Sequence, residues 1–511
     1  MVLDMTDPLL IVQIEPPQNG NQGDYFYRTY APGLTMAGEP NIWVVTLTNV
    51  HRKKQEIMSM ADVLILKNIS DPDLLPLVYQ RVMESKITVY EIADDLNALQ
   101  PWNPVYAFFK NQENISTLYH LARRCDALQV TVPELQRRYG FLNGHCRVFQ
   151  NQILHMPPDG PVSQDHKIVV GWGGSHGHLE DMAEIAPALI KWINRRPNVF
   201  LHLMCSDPIR QLFDAIPDSK KMHTLPGSLD DYYQFLNHIH IGIGPLKDTT
   251  FNRSRSDVKF LEYAASGVIP VMAHLEPYIH SVKHGRTGFL FSNMDECLQI
   301  LDGLIENPTL RHDISKSAFE YVVTERLQSQ HAKERIAFYG SLFRERKRPP
   351  RKVHYIDLSF QQLSTLEGAV QDNRYLNLLP THFEMLLHDG LVAMQMNKDY
   401  QMADECFKKA SGTEPNNYLP YLYGAAVSKD SIQNLNKAIE RMPNSIKARI
   451  LLGQEYSKKG DIKAAFENLN SAALIYPDYD VPYLKAASLL RAIGQEKQAN
   501  VLFQKANSLK I

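Results

Sequence analysis

A chain of 511 residues with a formal net charge of −2 is too long for one hydrophobic core and lacks the strongly basic balance of a nucleic-acid binder. Apolar residues make up 44% and charged residues 22%, ordinary soluble-protein proportions, so length predicts about two to four domains. Cys125, Cys146, Cys205, Cys297 and Cys406 are scattered, odd in number and without a CxxC pair, which argues against a disulfide framework and a zinc cluster.

The opening Met-Val-Leu-Asp-Met-Thr-Asp-Pro has neither a basic region nor a long apolar run, so no signal peptide is expected. No stretch approaches the ~20 apolar residues of a membrane span. The expected setting is cytoplasmic, with at most peripheral membrane association. Apolar runs at Leu9 to Ile14, Trp43 to Leu47, Val63 to Leu66, Ile87 to Tyr90 and Leu128 to Val132 predict strands. Helical patterns lie between them, at Leu74 to Ser85 and Ile115 to Arg124. The alternation restarts with Ile168 to Trp172, Val199 to Leu203, Ile239 to Ile243, Ile269 to Val271 and Gly288 to Phe291. Strand–helix alternation implies parallel, doubly wound sheets, so the chain is α/β with two Rossmann-like domains, expected at 1–155 and 156–345. The segment from Thr324 to Arg344 is the candidate for a last helix crossing back onto the first domain.

In the first domain, Gly23 to Arg28 follows the first strand, and Asp94 and Asp95 follow the fourth. Ligands of doubly wound sheets bind beyond the carboxyl ends of the strands. Arg28, Asp94 and Asp95 are therefore candidates to contact a ligand from the first-domain side of the cleft, with helix capping by the aspartates an equally good reading. The second domain opens on Gly171-Trp-Gly-Gly-Ser-His-Gly-His-Leu-Glu-Asp181, a strand, a glycine turn and a helix start. Gly173 and Gly174 let backbone approach a ligand, and Ser175 can cap the helix, leaving N–H groups for a phosphate. The GxGxxG spacing is missing, which disfavours a dinucleotide cofactor.

Asn252-Arg-Ser-Arg-Ser-Asp-Val-Lys-Phe-Leu-Glu-Tyr-Ala-Ala-Ser-Gly267 is a cationic loop running into a short helix. Arg253, Arg255 and Ser256 suit diphosphate oxygens, and Glu262, on one face with Lys259, suits sugar hydroxyls. Taken alone, Lys259 and Glu262 also read as an ordinary surface ion pair. Histidines two apart at His176 and His178 are poor for a helix-borne metal, and no convincing Asp-x-Asp stands out, so no metal and no cofactor are expected.

After a basic, proline-containing run from Arg344 to Lys352, read as part of a linker over 346–378, the tail repeats. Gly453, Tyr456, Ala465, Leu469 and Ala472 return 34 positions later as Ala487, Leu490, Ala499, Phe503 and Ala506. Leu435, Ala438 and Pro443, and before them Phe407, Ala410 and Pro415, occupy the end of the same unit. This resembles the tetratricopeptide repeat, which implies an all-α array over 379–511 with a concave surface for a protein partner. Deletion beyond about residue 355 is then expected to leave the diphosphate- and sugar-binding site of the second domain working.

Lys259-Phe-Leu-Glu-Tyr-Ala-Ala-Ser-Gly-Val-Ile-Pro-Val271, with the Gly-Trp-x-Gly-Ser…His…Asp form at 171–181, resembles the donor site of retaining GT-B glycosyltransferases. The resemblance implies two Rossmann-like domains flanking a cleft, a nucleoside diphosphate sugar as donor, and a glycan or protein hydroxyl as acceptor. It implies catalytic roles for Lys259, Glu262 and Arg253, and donor binding by Gly173, Gly174, Ser175, Arg255, Ser256 and Glu262. The family's Glu-x7-Glu form places a first glutamate where this chain has Ser254; Asp248 and Asp257 are the nearby substitutes. A non-catalytic repeat scaffold, a sugar-nucleotide epimerase and a nicotinamide-dependent enzyme are the rival readings.

Overall fold

The computed structural model describes residues 9–17, 23–103, 105–157, 167–345, 374–378 and 380–511. Its strands are β1 (Leu9–Glu15), β2 (Ile42–Thr48), β3 (Val63–Lys67), β4 (Ile87–Ile92), β5 (Ala127–Val130) and β6 (Cys146–Val148), then β7 (Ile168–Gly173), β8 (Val199–Met204), β9 (Lys221–Thr224), β10 (Ile241–Gly244), β11 (Ile269–Ala273) and β12 (Phe289–Phe291), and last β13 (Tyr375–Asn377). They form two parallel sheets, ordered β13-β2-β1-β3-β4-β5-β6 and β12-β11-β10-β7-β8-β9. Every residue of β1, β3, β4 and β7 is buried, as expected of strands covered by helices on both faces. In the second sheet β8 lies on one side of β7 and β10 on the other, so the strand order reverses there and opens a crevice at the ends of β7 and β10.

All ten expected strands form. Missing from the sequence reading are β6, β9 and β13, each three or four residues long; β6 and β9 are polar edge strands with half-exposed faces. The helix expected from Leu74 forms as Leu75–Met83, and the next as Gln112–Arg124, its Asn111 cap accepting from Glu113 N at 3.0 Å. The terminal helix is broken where one was expected: Pro308–Glu325 stops at Arg326 and Ala332–Glu345 follows. Ala332, Tyr339, Leu342 and Phe343 pack with Leu9, Ile11 and Val44 of the first sheet, which makes this the crossover. Among the described residues no helix is long and apolar enough to cross a membrane.

The expected linker lies outside the described residues up to 373, as do the side chains of the basic run. Beyond it the structure departs from a linker: Tyr375, fully buried, sets β13 beside β2 in register with Val44. Eight α-helices then follow, consecutive ones packed against each other. Small residues sit at their crossings: a Cβ on Gly453 would lie 2.8 Å from Leu469, and one on Gly390 2.5 Å from Phe407.

This array is docked on the first domain through the starts of its alternate helices. Arg52 N donates to Glu384 Oε1 at 2.7 Å, and Lys54 lies 5.7 Å from the Tyr418 ring centre. Asp73 accepts from Ser445 Oγ at 2.9 Å and Lys447 N at 3.0 Å, a carboxylate at a helix N-terminus. One repeat later, Tyr479 OH meets Thr117 Oγ1 at 2.6 Å, while Asp480 accepts from Ser116 Oγ at 2.6 Å and His120 Nε2 at 3.1 Å. Ile446, Tyr479 and Val481 share one apolar cluster with Leu74, Val78 and Leu118. Asp480→Ala leaves Ser116 and His120 without their acceptor in this buried seam and is expected to cost about 2 kcal/mol, read as a lowered thermal midpoint; an unchanged midpoint contradicts a docked array.

Candidate functional site

The crevice at the ends of β7 and β10 brings the glycine turn against the cationic loop. A Cβ on Gly173 would lie 2.7 Å from the Tyr232 ring, and one on Gly174 2.7 Å from Trp172, so both positions demand close approach. Ser175 precedes the turn His176–His178 and the helix Leu179–Asn194, but its side chain makes no capping hydrogen bond, contrary to expectation.

Arg255 is one of four side chains closed into a ring with Asn252, Asp181 and His178. Its Nε donates to Asn252 Oδ1 at 2.9 Å and its Nη1 to His178 Nε2 at 3.0 Å. Asn252 Nδ2 and His178 Nδ1 in turn donate to the two oxygens of Asp181, both at 2.8 Å. Burial and the neighbouring Arg255 push the His178 pKa down to about 3 against the pull of Asp181, so the imidazole is neutral and free to accept from the guanidinium. The guanidinium lies 4.9 Å over the Phe251 ring, and its Nη2 stands 3.5 Å from where a Gly177 Cβ would be.

Lys259 comes to the same turn from the helix Val258–Ala265. Its Nζ donates to the Gly173 carbonyl and lies 5.2 Å over Trp172 and 5.9 Å over Tyr263. Burial lowers its pKa to about 8, with Arg255 acting the same way and Glu262 opposing. One turn on, Glu262 is 7% exposed and accepts from the Tyr27 hydroxyl at 2.8 Å; burial raises its carboxyl against the pull of Lys259 and Tyr27. The two residues share a face, but it is turned inward rather than to solvent.

Arg253 does not join them. Its side chain is 43% exposed and is bound to Asp248 at 2.6 Å and Glu276 at 2.8 Å. The intervening turn at Ser254 sends the two arginines of the loop in different directions. Ser256 accepts from Asn151 Nδ2 at 3.1 Å across the domain boundary. Of the acids sought in place of a glutamate at 254, Asp248 is taken by Arg253, and Asp257 by Arg326 at 2.7 Å. The carboxylate that does reach Ser254 is Asp95, with Oδ2 3.5 Å from Oγ.

On the first-domain side, Asp95 is fully buried and committed to Arg138 and Tyr139, both at 2.5 Å. Arg28 is equally buried and spent on Glu91, the Phe149 carbonyl and Asn151. Neither has the exposure an acceptor contact requires. Asp94 is half-buried between Arg255 of the second domain and Lys67 and Arg28 of the first; burial and Asp24 push its pKa up to about 6. Behind it Lys67 is clamped between Glu15 and Asp24, each at 2.7 Å. Sequence reasoning gave no individual role to His178, Asp181, Asn252, Lys67 or Tyr27, although His178 and Asp181 lie in the His…Asp form at 171–181 and Tyr27 in the segment Gly23 to Arg28; the spacing of three in His178–Asp181 and Asn252–Arg255 was a further signal.

No family model and no curated protein matches this chain. Among solved structures, Anabaena HepE in complex with UDP and glucose is 14% identical over 65% of this chain and 99% of its own, with a TM-score of 0.48. A sucrose-phosphate synthase from Thermosynechococcus elongatus is 12% identical over 66% of this chain and 100% of its own, TM-score 0.48. TarM is 11% identical with a TM-score of 0.43, and the match spans 56% of each chain.

Proposed function

We propose that the chain is a glycosyltransferase that moves a sugar from a nucleoside diphosphate sugar to a hydroxyl acceptor. The observation that carries this reading is the convergence of Arg255 and Lys259 on the glycine turn at the crevice of the second sheet, with Glu262 one turn away. When the bond from the sugar's anomeric carbon to the diphosphate breaks, negative charge grows on the leaving group, and two cations fixed in advance stabilise it without a metal. The acceptor oxygen forms the new bond and its proton passes to the leaving phosphate on the same face, so the reaction is retaining. Asp94 orients that hydroxyl from the first domain. Exposed apolar residues of the array, Met396, Tyr400, Leu474 and Val501, support binding of a protein partner or a protein-linked acceptor there. The setting is cytoplasmic, peripheral to a membrane at most.

The test is nucleoside diphosphate release from UDP-, GDP-, ADP- and TDP-sugars with EDTA present, for the wild type and Glu262→Ala. Release from one donor is expected, reduced about 10-fold to 100-fold by the substitution, as for loss of a hydrogen bond to a charged group. Release abolished by EDTA would refute the metal-free mechanism, and conversion of the sugar without transfer would identify an epimerase. Ser254 in the place of a glutamate favours one second reading, a scaffold without turnover, which predicts silence from every donor and acceptor.

A further inference from the structure

Tyr27 belongs to the first domain by sequence and to the second by packing. It lies on a π-helical turn, Phe26–Tyr30, a distortion frequent at functional sites. The root of that turn is anchored at home: Arg28 is bound to Glu91 at 2.5 Å and Asn151 at 2.9 Å. Its tip crosses the cleft. The Tyr27 ring is buried in the apolar cluster of the second domain with Val169, Met204, Phe235 and Tyr263, and its hydroxyl meets Glu262 Oε1 at 2.8 Å. Further pins across the boundary, Asn151 to Ser256 and Asp95 to Ser254, lie beside the same loop.

We propose that Tyr27 is an interdomain latch that holds the donor site shut by seating its hydroxyl on the carboxylate where a sugar hydroxyl of the nucleotide binds. This rests on the reading of Glu262 given above. The carboxylate is buried, so in the closed form the Tyr27 hydrogen bond, beside the attraction of Lys259, offsets part of its lost hydration. A ligand diol that spans both oxygens of Glu262 displaces Tyr27 from Oε1, and that displacement lowers the apparent affinity. The latch therefore sets the concentration of nucleotide at which the cleft opens, and couples donor entry to the contact between the two domains.

The experiment uses the full chain and Tyr27→Phe, which keeps the buried ring and removes only the hydroxyl. UDP, GDP, ADP and TDP are titrated into both proteins by calorimetry, and small-angle scattering measures the nucleotide-free forms. The latch predicts that Tyr27→Phe binds the preferred nucleotide about tenfold tighter than the wild type, the worth of one hydrogen bond to a charged group. Equal or weaker binding overturns it, weaker binding meaning that Tyr27 helps to hold the ligand. If neither protein binds any nucleotide, the glycosyltransferase reading fails and scattering decides the latch alone: a larger radius of gyration for Tyr27→Phe supports it, and an unchanged one overturns it.

Discussion

Residues 1–373, made without the helical array, are expected to be aggregated or partly unfolded. The repeats looked like an appendage whose removal leaves a working donor site; the tertiary structure argues the reverse. Removing them strips Ile446, Tyr476, Tyr479 and Val481 from the cluster that covers Leu75–Met83 and Gln112–Arg124. Four such side chains contribute about 1.5–3 kcal/mol each, a sum comparable with the 5–15 kcal/mol of a whole domain. The same cut takes β13 and its buried Tyr375 away and exposes β2 as a long apolar edge, a template for aggregation. Thermal melting and limited proteolysis of the truncated chain measure this. A compact, cooperative truncation with undiminished donor turnover would show that the docking contributes nothing.

Arg255→Ala is expected to reduce donor turnover about 10²-fold to 10³-fold, as for loss of one fixed donor at a site of developing charge. Arg255→Lys should rescue little, because an ammonium lacks the planar fork that reaches Asn252 and His178 together. Arg253→Ala, by contrast, removes a surface group bound to Asp248 and Glu276 and is expected to change turnover less than twofold. Steady-state rates for the three variants test the assignment, and an Arg253 variant as damaged as the Arg255 one would reverse it. Lys259 adds a pH signature. A bound diphosphate favours the protonated lysine, whose pKa of about 8 without ligand means that binding takes up a proton above that pH. Nucleotide affinity should therefore hold near neutrality and fall above about pH 8, by up to tenfold per unit. In Lys259→Arg the fall should vanish, since guanidinium stays charged; a profile flat to pH 9.5 in the wild type contradicts a buried, titrating lysine at the diphosphate.

Much of the site was readable because its parts lie close in the chain. Lys259 and Glu262 are three apart on one helix, and the glycines that approach Tyr232 and Trp172 stand in a row at the end of β7. The ring around Arg255 was not readable, since His178 and Asn252 meet only when β7 and β10 become neighbours. Nor was the choice between Arg253 and Arg255, two cations in one polar loop that a single turn at Ser254 separates.

By itself the sequence determined the two strand–helix series, the helical tail and the shared helix face of Lys259 and Glu262, because apolar runs and helical spacing act over a few residues and need no partner; that this face turns inward came from the fold. The tertiary structure alone decided that Arg255 is the anchored cation, that Arg28 and Asp95 are spent on structure, that Tyr27 lies on Glu262, and that the array braces the first domain. Each of these depends on burial and on groups brought together from far apart in the chain, such as Tyr27 and Glu262, 235 positions apart, and Asp73 and Ser445, 372 apart, and residue spacing along the chain carries no record of them.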